Sequence, residues 1–287
     1  MAFSYNHSSM FSQTASDRYL KLEQNGQTAV TYVFVDNWYD NPATVRSKVR
    51  ILNRSIETID DIPSYSCPKP TSVKDLHQPI EEQLLKPVAL FRDPFLGENN
   101  KLVLCQVLNV DGSAPISNKR HQCELTMERA KDFHPWFGIE QEYTLVGRDG
   151  RLVGWPREFG YPEPQGPAFW GVGTGRVQGR QVSEAHLKAC LYAGVQVAGT
   201  NSELVNGQWE YQIGPCEGAK AGDHLWMSRY LLERVGEDFG VGISFKPKDI
   251  DSDDWFGSGA HCNFSTEAMR QKGGFKFASY SLAFTHF

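Results

Sequence analysis

TAVTYVFVDNW, residues 28–38, is dense in β-branched and aromatic side chains, and VRSKVRILNRSI, 45–56, alternates apolar with basic or polar positions. Composition and a period of two predict a strand in each. KPVALFRDPF (86–95) and KLVLCQVLNV (101–110) predict two more, joined by LGENN, whose Gly and Asn suit a turn. Pro63, Pro68 and Pro70 make the stretch from Asp60 to Pro79 irregular. These pieces predict a small strand-rich domain over 28–112, behind a Ser-, Asn- and Gln-rich tail or helical arm over 1–27. Beyond it the pattern turns helical. SNKRHQCELTMERAKDF (117–133) reads as a helix, as do SEAHLKACLYAGV (183–195), with Ser183 as N-cap and Gly194 near its end, and DHLWMSRYLLERVGEDFG (223–240), capped by Asp223 and closed at Gly240. Strands alternating with these helices make 113–287 an α+β domain.

HPWFGIEQEYTL (134–145) returns to alternation. As a strand it sets Gly138, Glu140, Glu142 and Thr144 on one face and Ile139, Gln141, Tyr143 and Leu145 on the other. Side chains two apart on a face lie roughly 7 Å from each other, so like charges repel unless water or a cation intervenes. SELVNGQWEY (202–211) supplies a second pair. Its Asn206-Gly207 predicts a two-residue type I′ turn, with Val205 across from Gln208, Leu204 from Trp209, and Glu203 directly across from Glu210. Four carboxylates placed to repel, beside bulky aromatics, make sense around hard divalent cations. Two independent, solvated acidic strands are the plain alternative. SGAHCNFST (258–266) alternates again and puts His261, Asn263 and Ser265 on one face, an imidazole for a metal and an amide and hydroxyl for a nucleotide or acid.

Composition narrows the class. The 287 residues suffice for about two domains, and 40% hydrophobic with 22% charged residues is ordinary globular material. A net charge of -5 and no dense Lys/Arg block argue against nucleic acid as a partner. No apolar run approaches the ~20 residues of a membrane span, and the first residues lack a secretory pattern. The expectation is a soluble, cytoplasmic protein with no membrane partner. Six scattered cysteines without a C-x-x-C pair read as reduced and mostly packed. GVGTGR (171–176) lacks the GK[ST] of a P-loop and reads as a loop.

HPWFGIEQEYTL, GVGTGRVQGRQVSEAHLKACLYAGVQVAGTNSELVNGQWEYQIGPCEG, GDHLWMSRYLLERVGEDFGV and GAHCNFST, in this order, resemble the catalytic core of a eukaryotic-type glutamine synthetase. LFRDPF and NKLVLCQV resemble the end of that family's N-terminal β-grasp domain. The resemblance implies an α+β fold in which the small β-grasp domain precedes a catalytic domain built on a curved antiparallel sheet with flanking helices. It implies ATP-dependent ligation of ammonia to L-glutamate through a γ-glutamyl phosphate, giving L-glutamine. By the same likeness Glu142, Glu203 and Glu210 hold one Mg²⁺ or Mn²⁺, and Glu140 with His261 is part of a second site. Trp136, Glu210, Gln212, Asn263 and Ser265 match positions at ATP, while Glu203, Gly257, Gly259 and His261 match positions around glutamate. No side chain is assigned as nucleophile or base. The resemblance also implies assembly as a homo-oligomer of stacked rings.

The sequence also departs from the family. Where the family has a W-x-F-D-G-S-S segment, whose Asp helps bind ammonium in a neighbouring subunit's site, this chain reads SYSCPKPTSVKD and offers no counterpart of that Asp. Phe256-Gly257 stands where the family has Asn-Gly. After MRQKGG the chain runs FKFASYSLAFTHF, in place of the last metal-ligating Glu and the arginines that hold glutamate and phosphates. The expectation is therefore a catalytic domain incomplete at its C-terminus, by splicing, gene-model error or divergence. Two alternatives follow: a catalytically impaired subunit that co-assembles with a full-length enzyme, or a ligase for a different amine.

Overall fold

The computed structural model describes residues 19–36, 44–69, 81–155, 165–251, 255–274 and 276. Most of the expected N-terminal arm, residues 70–75 of the departing segment SYSCPKPTSVKD and most of FKFASYSLAFTHF lie outside the described residues.

Two sheets organise the chain. The first comprises β1 (Thr28–Asp36), β2 (Thr44–Leu52), β3 (Tyr65–Pro68), β4 (Glu82–Arg92) and β5 (Lys101–Asn109), in the order β2-β1-β5-β4-β3. Its central β1 and β5 are parallel and all other pairs antiparallel. Alternation divides its side chains. Val30, Tyr32, Phe34, Leu85, Val103 and Cys105 bury one face with Ile56 and Ile62 from the loops. Val33, Phe91, Leu102 and Leu104 join the core of the second part.

The second sheet comprises β6 (Trp136–Val146), β7 (Val197–Ser202), β8 (Gln208–Glu217), β9 (Gly242–Ser244) and β10 (Ala260–Ser265), in the order β10-β6-β8-β7. β9 pairs with β6 beyond the end of β10. Helices α1 (Lys119–Arg129), α2 (Arg180–Ala193) and α3 (Lys220–Phe239) flank it, and a single turn, α4 (Glu267–Arg270), follows β10. Tyr143, Leu145, Tyr211 and Ile213 pack against Val182, Ala189 and Cys190 of α2 and Met227, Leu231 and Val235 of α3. Each fully buried aliphatic side chain contributes about 1.5–3 kcal/mol. Because the odd positions of β6 carry this core, Glu140, Glu142 and Thr144 point the other way.

Two expected caps are corrected. The second helix opens at Arg180, not at Ser183, behind Gly179 at φ 85°. Ser183 is fully buried inside the helix, its hydroxyl 2.7 Å from that of Thr200. A Cβ on Gly179 would lie 2.1 Å from Leu145 Cδ1, so packing on β6 sets where this helix starts. The third helix begins at Lys220. Asp223 instead accepts from Arg120 Nε (2.7 Å) and Nη2 (2.9 Å), tying α3 to α1. The C-terminal reading holds, with Gly194 and Gly240 both left-handed caps.

Among the described residues no helix is long and apolar enough to cross a membrane. The cysteines form no disulfides; Cys105, Cys190 and Cys216 are buried, Cys123 and Cys262 exposed.

Candidate metal and nucleotide site

Strand register brings the acidic residues together. Glu142 stands opposite Glu210 and Glu140 opposite Gln212 across β6 and β8. His261 stands opposite Glu140, and Ser265 opposite Trp136, across β10 and β6. The β7–β8 hairpin departs from expectation: Asn201 is the residue opposite Glu210, and pairing begins where Glu203 N–H donates to Gln208 O at 2.9 Å. Asn206-Gly207 still occupies the centre of a turn, closed by Gln208 N–H to Val205 O (2.9 Å), but of the two only Gly207 has positive φ, 83°. That geometry is not type I′. The pairing is displaced by two residues, and an even displacement leaves Glu203 and Glu210 on one face. One carboxylate oxygen from each of Glu142, Glu203 and Glu210 lies within 4.8 Å of the others.

Neutral donors hold these carboxylates. Gly259 N–H donates to Glu142 Oε2 (2.9 Å) and the Asn201 amide to Glu203 Oε1 (3.0 Å). The Gln212 amide donates to Glu210 and also to Asn201 Oδ1 (2.8 Å). Glu140 accepts from Asn263 Nδ2 at 2.7 Å and faces His261 Nδ1 at 3.2 Å. Among the described residues no lysine or arginine forms an ion pair with Glu142, Glu203 or Glu210. Burial, then the charges of Glu142 and Glu210, push the Glu203 carboxyl up to about 7, and burial also raises Glu210. An oxygen-only donor set with excess negative charge fits a hard divalent cation.

Ligation requires the ionised carboxylate, so a cation bound here displaces the Glu203 proton. Mn²⁺ affinity is expected to rise between pH 6 and pH 8. Calorimetry in buffers of different ionisation enthalpy should register proton release at pH 6 that fades by pH 8; release independent of pH would contradict the assignment.

A cavity of about 400 Å³ adjoins the acidic group, lined by Trp136, Glu140, Gln212, Asn263 and Ser265 among others. The loop before β10 closes over Glu142. A Cβ on Gly259 would lie 3.0 Å from Glu142 Oε1, and one on Gly257 2.5 Å from Pro247 O. Gln208 Nε2 holds this loop through Gly257 O and Ser258 Oγ, each at 2.9 Å. Phe256, at its start, is half exposed. Thus all eleven residues singled out from sequence lie on β6, β8, β10 and the two loops beside them. Asn201 and Gln208 were missed, although each lies two positions before a glutamate and alternation puts it on that glutamate's face.

Fold and site define an α+β protein whose second sheet gathers hard oxygen ligands beside an aromatic-walled cavity. A family model described as "Glutamine synthetase, catalytic domain" matches residues 119–281. The chain is 46% identical to glutamine synthetase of Xenopus laevis over 273 residues, covering 95% of this chain and 68% of that protein. It is 44% identical to the Homo sapiens enzyme over 259 residues, with 90% and 68% covered, and 47% identical to that of Tuber borchii over 271, with 94% and 74% covered. The chain belongs to the glutamine synthetase family. The Plasmodium falciparum glutamine synthetase solved by cryo-electron microscopy shares the fold, with TM-score 0.61 at 15% identity. That match covers 89% of this chain, which spans about half (54%) of the other.

Proposed function

We propose that this chain ligates ammonia to L-glutamate at the expense of ATP. A γ-carboxylate oxygen attacks the terminal phosphorus and ADP leaves. Ammonia then attacks the acyl carbon, phosphate departs with the C–O electrons, and loss of a proton gives L-glutamine. The observation that carries the reading is the trio Glu142, Glu203 and Glu210, with oxygens within 4.8 Å, beside the cavity lined by Trp136, Gln212, Asn263 and Ser265.

In this reading Glu142, Glu203 and Glu210 hold one Mg²⁺ or Mn²⁺, and Glu140 and His261 contribute to a second site. The cations supply charge neutralisation for phosphoryl transfer. The neutral amides of Asn201 and Gln212 orient the carboxylates without cancelling the charge that attracts a cation. Trp136, Gln212, Asn263 and Ser265 receive the nucleotide, with Glu210 at its phosphate end. Glu203, Gly257, Gly259 and His261 surround glutamate, and the two glycines let the loop backbone come close. The domain boundaries adopted are 28–112 and 113–287. A ring-forming homo-oligomer accords with Val49 and Ile51, half exposed on the edge strand β2. Phe256 supports one second reading, a ligase for a different amine, because an exposed aromatic ring begins the substrate loop.

The test is ATP-, Mg²⁺- and glutamate-dependent phosphate release, with and without ammonia, by the chain and by Glu142→Ala. Ammonia-stimulated release that the substitution lowers by at least ~10²-fold is expected. Metal binding without any release would replace the ligase reading with that of a catalytically impaired subunit.

A further inference from the structure

Arg270 closes the turn α4 and touches Trp136 and Ser265, which line the 400 Å³ cavity, and His134 just before β6. Its guanidinium carbon sits 3.9 Å from the centre of a Trp136 ring. Nη1 donates to Ser265 O (2.9 Å) and Ser265 Oγ (3.0 Å), and Nη2 donates to His134 O (2.8 Å). One planar cation therefore bridges the start of β6 to the end of β10, with both terminal nitrogens engaged. His134 is itself held at φ 46°, its Nδ1 3.0 Å from Glu217 Oε1.

This arrangement fixes polarity as well as position. A serine hydroxyl carries one proton, and an arginine N–H can only donate. With Oγ accepting from Arg270, the Ser265 proton is left to donate elsewhere. Asn263 is fixed by the same logic: the Glu140 carboxylate accepts from its Nδ2, so its Oδ1 remains an acceptor. The cavity thereby presents a hydroxyl donor and an amide acceptor two residues apart on one strand face, beside an indole whose ring Arg270 covers. A base edge offering a ring-nitrogen acceptor next to an exocyclic amino group complements that pair.

We infer that Arg270 is a positioning residue of the nucleotide subsite, locking the Trp136 ring and committing Ser265 to donate to the base. The inference rests on the proposed nucleotide-dependent reading. Its test is calorimetric binding of a non-hydrolysable ATP analogue with Mg²⁺ to the chain, Arg270→Ala, Arg270→Lys, Ser265→Ala and Arg270→Ala/Ser265→Ala. Arg270→Ala should weaken binding at least tenfold, about 1.4 kcal/mol. Arg270→Lys should recover less than half of the loss, since an ammonium has no planar fork. Ser265→Ala should cost severalfold alone and nothing in the Arg270→Ala background, a coupling that a merely structural arginine does not produce. The glutamate KM should not move. If Arg270→Ala fails to fold, Arg270→Lys alone carries the comparison. Binding by Arg270→Ala or by Arg270→Lys within twofold of the unaltered chain, or additive losses, would overturn the inference. Absence of binding by the unaltered chain would instead overturn the nucleotide-dependent reading itself.

Discussion

Glu203→Gln should make the metal-free chain more stable at pH 8 while weakening divalent-cation binding at the proposed site. Glu203 is 8% exposed, shares its pocket with two other carboxylates, and accepts from the neutral Asn201 amide and the Leu204 backbone N–H. Glutamine keeps the shape and the oxygen that accepts from Asn201. What it removes is one of three charges that water cannot screen well. The sign in pH follows from the Glu203 carboxyl being pushed up to about 7 in the folded chain from an ordinary 4.5. A raised carboxyl contributes stability that is fully present below the unfolded value and is lost as pH rises through the folded one. At pH 8 the folded chain carries the full repulsion, whereas at pH 5 the carboxyl is already protonated. The rise in Tm of Glu203→Gln over its parent, in chelator, should therefore be large at pH 8 and small at pH 5, about 2–4 °C for each kcal/mol relieved. Mn²⁺ affinity should fall by more than the ~10–100-fold typical when a group that only orients a ligand is lost. An equal Tm difference at both pH values, or undiminished Mn²⁺ binding, would remove Glu203 from the cage.

The alternation in FGIEQEYTL was sufficient to place Glu140 and Glu142 together opposite the core, because β6 has a buried face and a slip by one residue would bury both charges. The hairpin was harder. Asn206-Gly207 marks a turn, but the type I′ reading assumed a free two-residue loop, while residues 153–154 pack against this one. Face assignment survived because the displacement is even; the directly opposed pair became Glu142 with Glu210 rather than Glu203 with Glu210. Caps failed for a related reason. Ser183 and Asp223 are good capping residues by local chemistry, yet Ser183 meets Thr200, 17 residues on, and Asp223 meets Arg120, 103 residues back. Local propensity carries no information about such partners. Arg270, in the turn α4, lay beyond reach for the same reason, since its partner Trp136 stands in β6. The ordered family motifs, by contrast, were readable without any register, because they depend only on which residues occur in which order.

Gly207→Ala should cost on the order of 2–4 kcal/mol and disable the site through the turn rather than through any ligand. At φ 83° an added side chain is strained, by about 1–2 kcal/mol on its own. The larger obstacle is space: a Cβ would come within 2.3 Å of Val153 O, a backbone atom that cannot rotate aside. That carbonyl is not free to retreat, because Val153 N–H donates to Leu145 O (2.8 Å) and Leu145 N–H to Gly207 O (3.0 Å), so β6, the 153 segment and the turn are laced together. The turn is wedged from a second side as well, where a Cβ on Gly154 would meet Asn206 Cγ at 2.8 Å. Relief must come from moving the 204–207 loop, and Glu203 is its first neighbour. Gly207→Asn separates the two causes: asparagine tolerates left-handed φ but carries the same Cβ. Denaturant unfolding should find Gly207→Asn destabilised by the steric part, losing no more than about 1 kcal/mol less than Gly207→Ala. Because the displaced Glu203 is a proposed cation ligand, saturating Mn²⁺ should stabilise both variants less than the parent chain. If Gly207→Asn proves as stable as the parent, conformation alone governs the turn and the contact with Val153 is not what fixes Glu203.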